Sequence, residues 1–279
     1  GDSVTMTVTC NETMSAVSAE TPTITINGGG GFTGVTDAVM TASSSSSVFT
    51  YIFAIPAGDG TGTVTLGAGK DLAGNDITVA PTSGATFVVD NTLPTADITY
   101  SSDSSSTPYH EGDPDVTITA TFSKTMVESP IPKIIVTGSG IGNVPATQMV
   151  RTNATTYTYT YAIPSGTGTG VVTLTTGTDS AGNEVVSTPT SGASFSVNNT
   201  NPAMNITADW VSSGVTTNAS SSTLTFTSSE PTADFVVSDI VVKKDGNVEA
   251  DRLSVFAATG GSTSIYTCTF TTNGNGTYT

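Results

Sequence analysis

Residues 157–174 read YTYTYAIPSGTGTGVVTL, and residues 49–66 read FTYIFAIPAGDGTGTVTL. In each, a large apolar or aromatic side chain recurs at every second position: Tyr157, Tyr159, Tyr161 and Ile163 in one, Phe49, Tyr51, Phe53 and Ile55 in the other. A period of two sets such side chains on one face of a β-strand, leaving the intervening Thr and Ala on the other. Pro164 and Pro56 then lack the amide proton that a ladder needs, so pairing stops there. The Gly-rich segments that follow read as turns into further strands, Val171 to Leu174 and Val64 to Leu66.

The match runs on in both directions and marks an internal repeat. TCNETM (9–14) aligns with TFSKTM (121–126), and PTSGATFVVDNTLPTADIT (81–99) with PTSGASFSVNNTNPAMNIT (189–207). A third unit begins near Pro202, where TLTFTSSEPT (223–232) replaces TITATFSKTM and SIYTCTFTTNGNGTYT (264–279) replaces the aromatic strand and its turn. Val116, Ile118, Ala120 and Phe122 show the same alternation in the strand before Lys124. Short strands, frequent turn signals and about 100 residues per unit predict tandem β-sandwiches. The expected units are residues 1–93, 94–201 and 202–279. Their seams, near 91–95 and 199–203, contain Pro and no long flexible tract, which predicts an elongated rod. Unit 1 lacks a counterpart of TADITYSS (95–102), and unit 3 lacks the Asp-x-Ala-Gly-Asn turn and closing strand. The chain therefore reads as a section of a longer array, or as a protomer that borrows strands from its neighbours.

Composition agrees with an all-β chain. Only 11% of the 279 residues are charged, with 29 Gly and 13 Pro, and Thr and Ser fill the intervals between single Val, Ile, Phe and Tyr residues. Acidic residues number 23 against 7 basic ones, a formal charge of −16, and they are dispersed along the chain. Nucleic acid is excluded as a partner, because phosphate backbones are bound through Lys and Arg. Divalent cations or a saline medium suit this charge, and it equally serves solubility. No run approaches 18 apolar residues, so no direct membrane span is expected. Cys10 and Cys268 fall in different units at inward positions and read as two free, buried thiols.

Four motifs together carry a resemblance. FSKTM (122–126) or TSSEP (227–231) stands early in a unit, AIPSGTGTGVVTL (162–174) in the middle and DSAGNE (179–184) late, with VDNTLP (89–94) or VNNTNP (197–202) at the seam. In this the chain resembles the Ig-like repeats of large prokaryotic cell-surface proteins: adhesin stalks, surface-layer subunits and related exported proteins. The resemblance covers nearly the whole sequence. It implies an extracellular, cell-surface home, Ig-like sandwiches, and partners that are further copies of the chain or neighbouring Ig-like domains of the same protein.

The most informative repeated motif is KDLAGND (70–76), which returns as TDSAGNE (178–184). Two readings stand. In the first, Asp accepts backbone donors and Gly supplies a positive φ, closing a turn. In the second, calcium, which takes six to eight oxygen ligands, is held by loops at a sandwich end. The resemblance favours such a cofactor, because similar repeats hold calcium at their junctions and are stiffened by it. The candidate oxygens are Asp71, Asp90, Asn91, Glu111 and Asp113 for the first seam, and Asp179, Asn198, Asp209 and Glu230 for the second.

No catalytic constellation is present. His110 is the single histidine, and no phosphate loop or nucleophile elbow occurs. Asp113 and Asp115 read as solvated acids in a loop. Asn11, Asn153, Asn198, Asn205, Asn218 and Asn275 begin N-x-Ser/Thr sequons, which matter in a host that glycosylates exported proteins. Trp210 reads as a residue packed near a seam, or as a platform that stacks on sugar. The charged stretch VVKKDGNVEADRL (241–253) departs from the other units and reads as a hairpin turning at Asp245 and Gly246. The sequence thus points to a non-catalytic section of a surface-layer, stalk or filament-coat protein. The alternative is an adhesin or phage-fibre module that binds carbohydrate or a receptor.

Overall fold

The structure is a computed structural model that describes residues 3–31, 33–101, 108–209, 214 and 216–279. The chain is all-β, built from antiparallel sheets. Residues 1–198 form one compact unit and residues 199–279 a second.

The first unit holds two sandwiches. In repeat 1 the strands are β1 (Ser3–Thr9), β2 (Thr23–Gly28), β3 (Val35–Val39), β4 (Thr41–Ala42), β5 (Val48–Ala54), β6 (Gly60–Gly67) and β7 (Thr86–Val89). They form one sheet of order β1-β5-β4 and another of order β3-β2-β6-β7. In repeat 2 they are β8 (Ala96–Ser101), β9 (Val116–Phe122), β10 (Lys133–Thr137), β11 (Val144–Gln148), β12 (Val150–Arg151), β13 (Thr156–Tyr161), β14 (Gly168–Thr175) and β15 (Ser194–Val197). Their sheets run β12-β13-β9-β8 and β11-β10-β14-β15.

The expected alternation is what closes these sandwiches. Val116, Ile118, Ala120 and Phe122 of β9 are no more than 4% exposed. Their partner β13 lies in register, Tyr157 opposite Ala120 and Tyr161 opposite Val116, so both strands turn their large side chains to one face. Phe122 meets Tyr157 edge-to-face at 5.5 Å. Ile134, Val136, Val172 and Leu174 come from the facing sheet and complete the core. Burying each such side chain contributes about 1.5–3 kcal/mol. Repeat 1 uses Ile24, Ile26, Phe49, Phe53, Val64 and Leu66 in the same way.

Two features depart from the sequence reading. The Gly-x-Gly segments expected as turns lie inside strands, since β6 starts at Gly60 and β14 at Gly168. The cause is packing: a Cβ on Gly62 would stand 2.4 Å from the Phe87 ring, and one on Gly170 would stand 2.5 Å from Phe195. Each glycine makes room for an aromatic ring of the neighbouring strand. Cys10 is also only half-buried, whereas Cys268 is buried as expected. In repeat 2, β9 is flanked by β13 and by β8; in repeat 1, β1 pairs with β5 and lies at the edge of its sheet. Cys10 follows that edge strand.

The second unit comprises β16 (Met204–Ala208), β17 (Ser221–Ser228), β18 (Lys243–Lys244), β19 (Asn247–Val248), β20 (Leu253–Ala258) and β21 (Ile265–Thr271). Its main sheet has the order β16-β17-β21-β20. The expected hairpin is present as β18-β19, with Asp245 at φ 50° and Gly246 at φ 84°, the two positive angles that suit a tight two-residue turn. Lys243 and Thr279 exchange backbone hydrogen bonds of 2.7 and 2.9 Å beside it. Phe226, Tyr266 and Cys268 form the buried centre, with Phe235 and Phe256 packed against them. No helix among the described residues is long and apolar enough to cross a membrane.

Candidate functional site

The repeated Asp-x-Ala-Gly-Asn motif is a closed turn in both copies. Asp71 Oδ1 accepts the backbone amides of Ala73 and Asn75, each at 2.8 Å, and its Oδ2 accepts the Asn75 side-chain amide at 2.7 Å. Asp179 does the same with Ala181 and Asn183, at 2.9, 2.9 and 3.0 Å. Gly74 and Gly182 take φ values of 88° and 93°, which a side chain would strain. Each Asp is anchored by a β-bridge to the methionine that ends TCNETM or TFSKTM, Met14 with Asp71 and Met126 with Asp179.

The surroundings of the two turns differ. Asp71 stays half-exposed, whereas Asp179 is 2% exposed. Asp179 faces the segment that joins the repeats, and the side chain that occupies the gap is Lys124. The Lys124 ammonium donates to Asp179 Oδ2 at 3.1 Å, to Asp90 Oδ1 at 2.5 Å and to the Thr92 carbonyl oxygen. Asn183 extends the contact by donating its side-chain amide to the Asp90 carbonyl at 2.9 Å. From the other side, repeat 1 holds the same residues. Asp59 accepts the Asn91 backbone amide at 2.5 Å and the Thr92 hydroxyl, while the Asn91 side-chain amide donates to the carbonyls of Pro56 and Gly58 at 3.1 and 3.0 Å. Further along, Val186 donates to the Pro94 carbonyl at 2.9 Å, and Ser123 and Thr95 bond to each other twice. Residues 90–95 are thereby pinned to both sandwiches.

The charges at this seam are mutually supported. Burial opposes ionisation of Asp179, yet hydrogen bonds from Asn183 and Lys124 outweigh it and hold the carboxyl below the usual carboxylate range. Burial likewise disfavours the Lys124 charge, and its bonds to Asp90 and Asp179 outweigh that and raise its pKa. Hydrogen bonds from Thr92 and then Asn91 hold the Asp59 carboxyl low. Asp71 is held low by Asn75, inside its own turn.

The candidate oxygens named from the sequence are not brought to one place. Asp71 follows the end of β6, and Asp90 lies at the other end of that eight-residue strand, roughly 25 Å away. Glu111 and Asp113 precede β9 at the end of repeat 2 remote from Asp90. There Asp113 closes a turn with His110, accepting its backbone amide at 2.8 Å and approaching its Nδ1 at 3.1 Å. Asn198 lies beside that turn, donating to the Tyr109 carbonyl at 2.8 Å. Asp90 and Asp179 are the two that do meet, and they meet across Lys124. In the second unit, the Asp209 backbone amide donates to Thr223 at 3.1 Å and that of Glu230 to Ser228 Oγ at 3.4 Å. Among the described residues no group of three or more His, Cys, Asp or Glu side chains is arranged to hold a metal ion. Trp210 lies outside the described residues. Asn11, Asn153, Asn205, Asn218 and Asn275 are exposed and Asn198 is half-buried.

The residues that the sequence did not single out are Lys124, Asp59 and Thr92. The contrast within the repeat was the available signal: Lys124 stands where repeat 1 has Glu12, and Asp59 where repeat 2 has Thr167.

No protein-family model and no curated protein matches the chain. Among solved structures it is similar to a surface layer protein, SbsC domains 1–6, at 15% identity and a TM-score of 0.25. That match covers 99% of this chain and 50% of the other, so the chain spans about half the length of the protein it matches.

Proposed function

We propose that the chain is a non-catalytic structural section of an extracellular repeat protein, of the kind that forms a surface layer, stalk or filament coat. The observation that carries this reading is the seam at residues 90–95, where side chains of both sandwiches bind the connecting backbone. Such a joint passes load from one sandwich to the next and limits their relative motion, which is what a spacer or tiling element requires and a catalytic domain does not. The acidic surface, −16 for 279 residues, suits a protein that meets a saline exterior or a cation-rich envelope. Its partners on this reading are further β-sandwich domains, in the same chain or in a neighbouring copy.

Immunogold labelling of intact source cells with an antibody raised to this chain tests the proposal. Regular decoration of the outer surface is the expected result, and label confined to the cytoplasm would overturn it. A glycan array run with the same protein is expected to be blank; saturable binding to a defined sugar would replace the spacer reading with an adhesin one.

A further inference from the structure

We propose that Lys124 is a tethered cation, built into the seam so that repeats 1 and 2 lock together without a free metal ion. Three oxygens converge on its Nζ: Asp90 Oδ1 and the Thr92 carbonyl from the connecting segment, and Asp179 Oδ2 from the turn of repeat 2. A lysine ammonium carries three N–H donors, so acceptors and donors match in number. Asp59 stands close enough to feel the same positive charge. Asp90 and Asp179 therefore share one ammonium, and without it their mutual repulsion would push the repeats apart.

The internal repeat supplies the comparison. At the position of Lys124, repeat 1 carries Glu12, although the neighbouring turn, with Asp71 in place of Asp179, is built identically. The turn itself therefore does not need the lysine. What needs it is the approach of a second carboxylate, Asp90, from the adjoining repeat. Calcium bonds oxygen at about 2.3–2.6 Å and tolerates irregular geometry completed by water. The two carboxylates and one carbonyl that hold the ammonium form a partial shell of that kind. Removing the lysine side chain would leave that shell to a diffusible cation.

The lock does not depend on where the protein works. The test is the thermal melt of the full chain, wild type, Lys124→Ala and Asp90→Asn, each in chelator and in millimolar calcium chloride. Wild type is expected to melt alike in both. Lys124→Ala should melt lower in chelator, by on the order of 5–10 °C, because carboxylates are left facing each other unpaired. Calcium should restore at least half of that loss. Asp90→Asn removes one negative charge while keeping the side chain's shape, and should lower the melt less, with no calcium response. A wild-type melt that rises with calcium would overturn the proposal. So would a Lys124→Ala protein that melts as wild type in chelator or gains nothing from calcium. If Lys124→Ala does not fold in either buffer, Asp90→Asn decides: an unchanged melt rejects the lock.

Discussion

Strands β1 and β9 hold equivalent places in consecutive repeats and are written in nearly the same alphabet, SVTMTVT against VTITATF. Yet Val116 is 1% exposed and Ile118 fully buried, whereas Val4 is 41% exposed and Met6 half-buried. The difference lies outside both strands. β9 has β8 along its second edge, with Ile98 opposite Ala120 and Tyr100 opposite Ile118, and β1 lies at a sheet edge. A strand's pattern thus states which face turns inward, while the depth of that face is set by the next strand over. The same holds for the two Asp-x-Ala-Gly-Asn turns: local bonds are equal, and only the one that meets another repeat becomes buried and charged-paired.

The largest expected difference between the repeats lies in the core. Ile118→Ala should cost about 2–5 kcal/mol of the stability of repeat 2, since a filled site becomes a cavity. Met6→Ala at the matching position of β1 should cost under about 1 kcal/mol. Urea unfolding followed at two wavelengths would show it, and equal losses would mean that β1 is covered in solution. Next comes the pair of turns. Asp179→Ala should cost on the order of 2 kcal/mol, because it opens the turn and strips the half-buried Lys124 ammonium of one partner; Asp71→Ala should cost less. The pH dependence has a definite sign. The folded-state pKa of Asp179 is lowered, so its contribution is complete above the unfolded carboxylate pKa of about 3.9 and is lost as pH falls through the lower folded value. An acid titration in which Asp179→Ala and wild type lose stability in parallel below pH 4 would contradict this.

Smaller effects are expected at the close-packed glycines and at Tyr157. Gly170→Ala and Gly62→Ala should each cost about 1–3 kcal/mol, since the new methyl would meet Phe195 or Phe87 well inside contact distance; thermal melts would register either. Tyr157→Phe works in the other direction. The Tyr157 hydroxyl is buried with no hydrogen-bond partner among the described residues, and repeat 1 carries Phe49 at this position. Removing the hydroxyl should raise stability by about 1 kcal/mol, and a lower melting temperature would reveal a partner for it.

What the sequence made legible was whatever depends on near neighbours along the chain. The inward faces of β9 and β13 follow from alternation, and the Asp turns follow from five consecutive residues. The Gly-x-Gly strands were misread because glycine's local preference for turns was overridden by a ring from another strand, Phe87 or Phe195. The seam was harder still. Lys124 is separated from Asp90 by 34 positions and from Asp179 by 55, and an isolated lysine between Ser and Thr looks like any solvated surface charge. Asp59 was hidden for a related reason, since its counterpart in repeat 2 is Thr167 and the alignment gave it no echo.

The lock at Lys124 also restricts how such a gene can be shuffled. One half of it, Asp90 with Thr92, lies at the end of the repeat 1 sequence, and the other half, Lys124 with Asp179, is carried within repeat 2. Unequal crossing-over that set a second copy of repeat 1 behind the first would bring Glu12 and Asp71 up to Asp90, acid against acid. Near-identical sandwiches are therefore not interchangeable bricks: their ends are keyed, and the order in which they follow one another is itself inherited information.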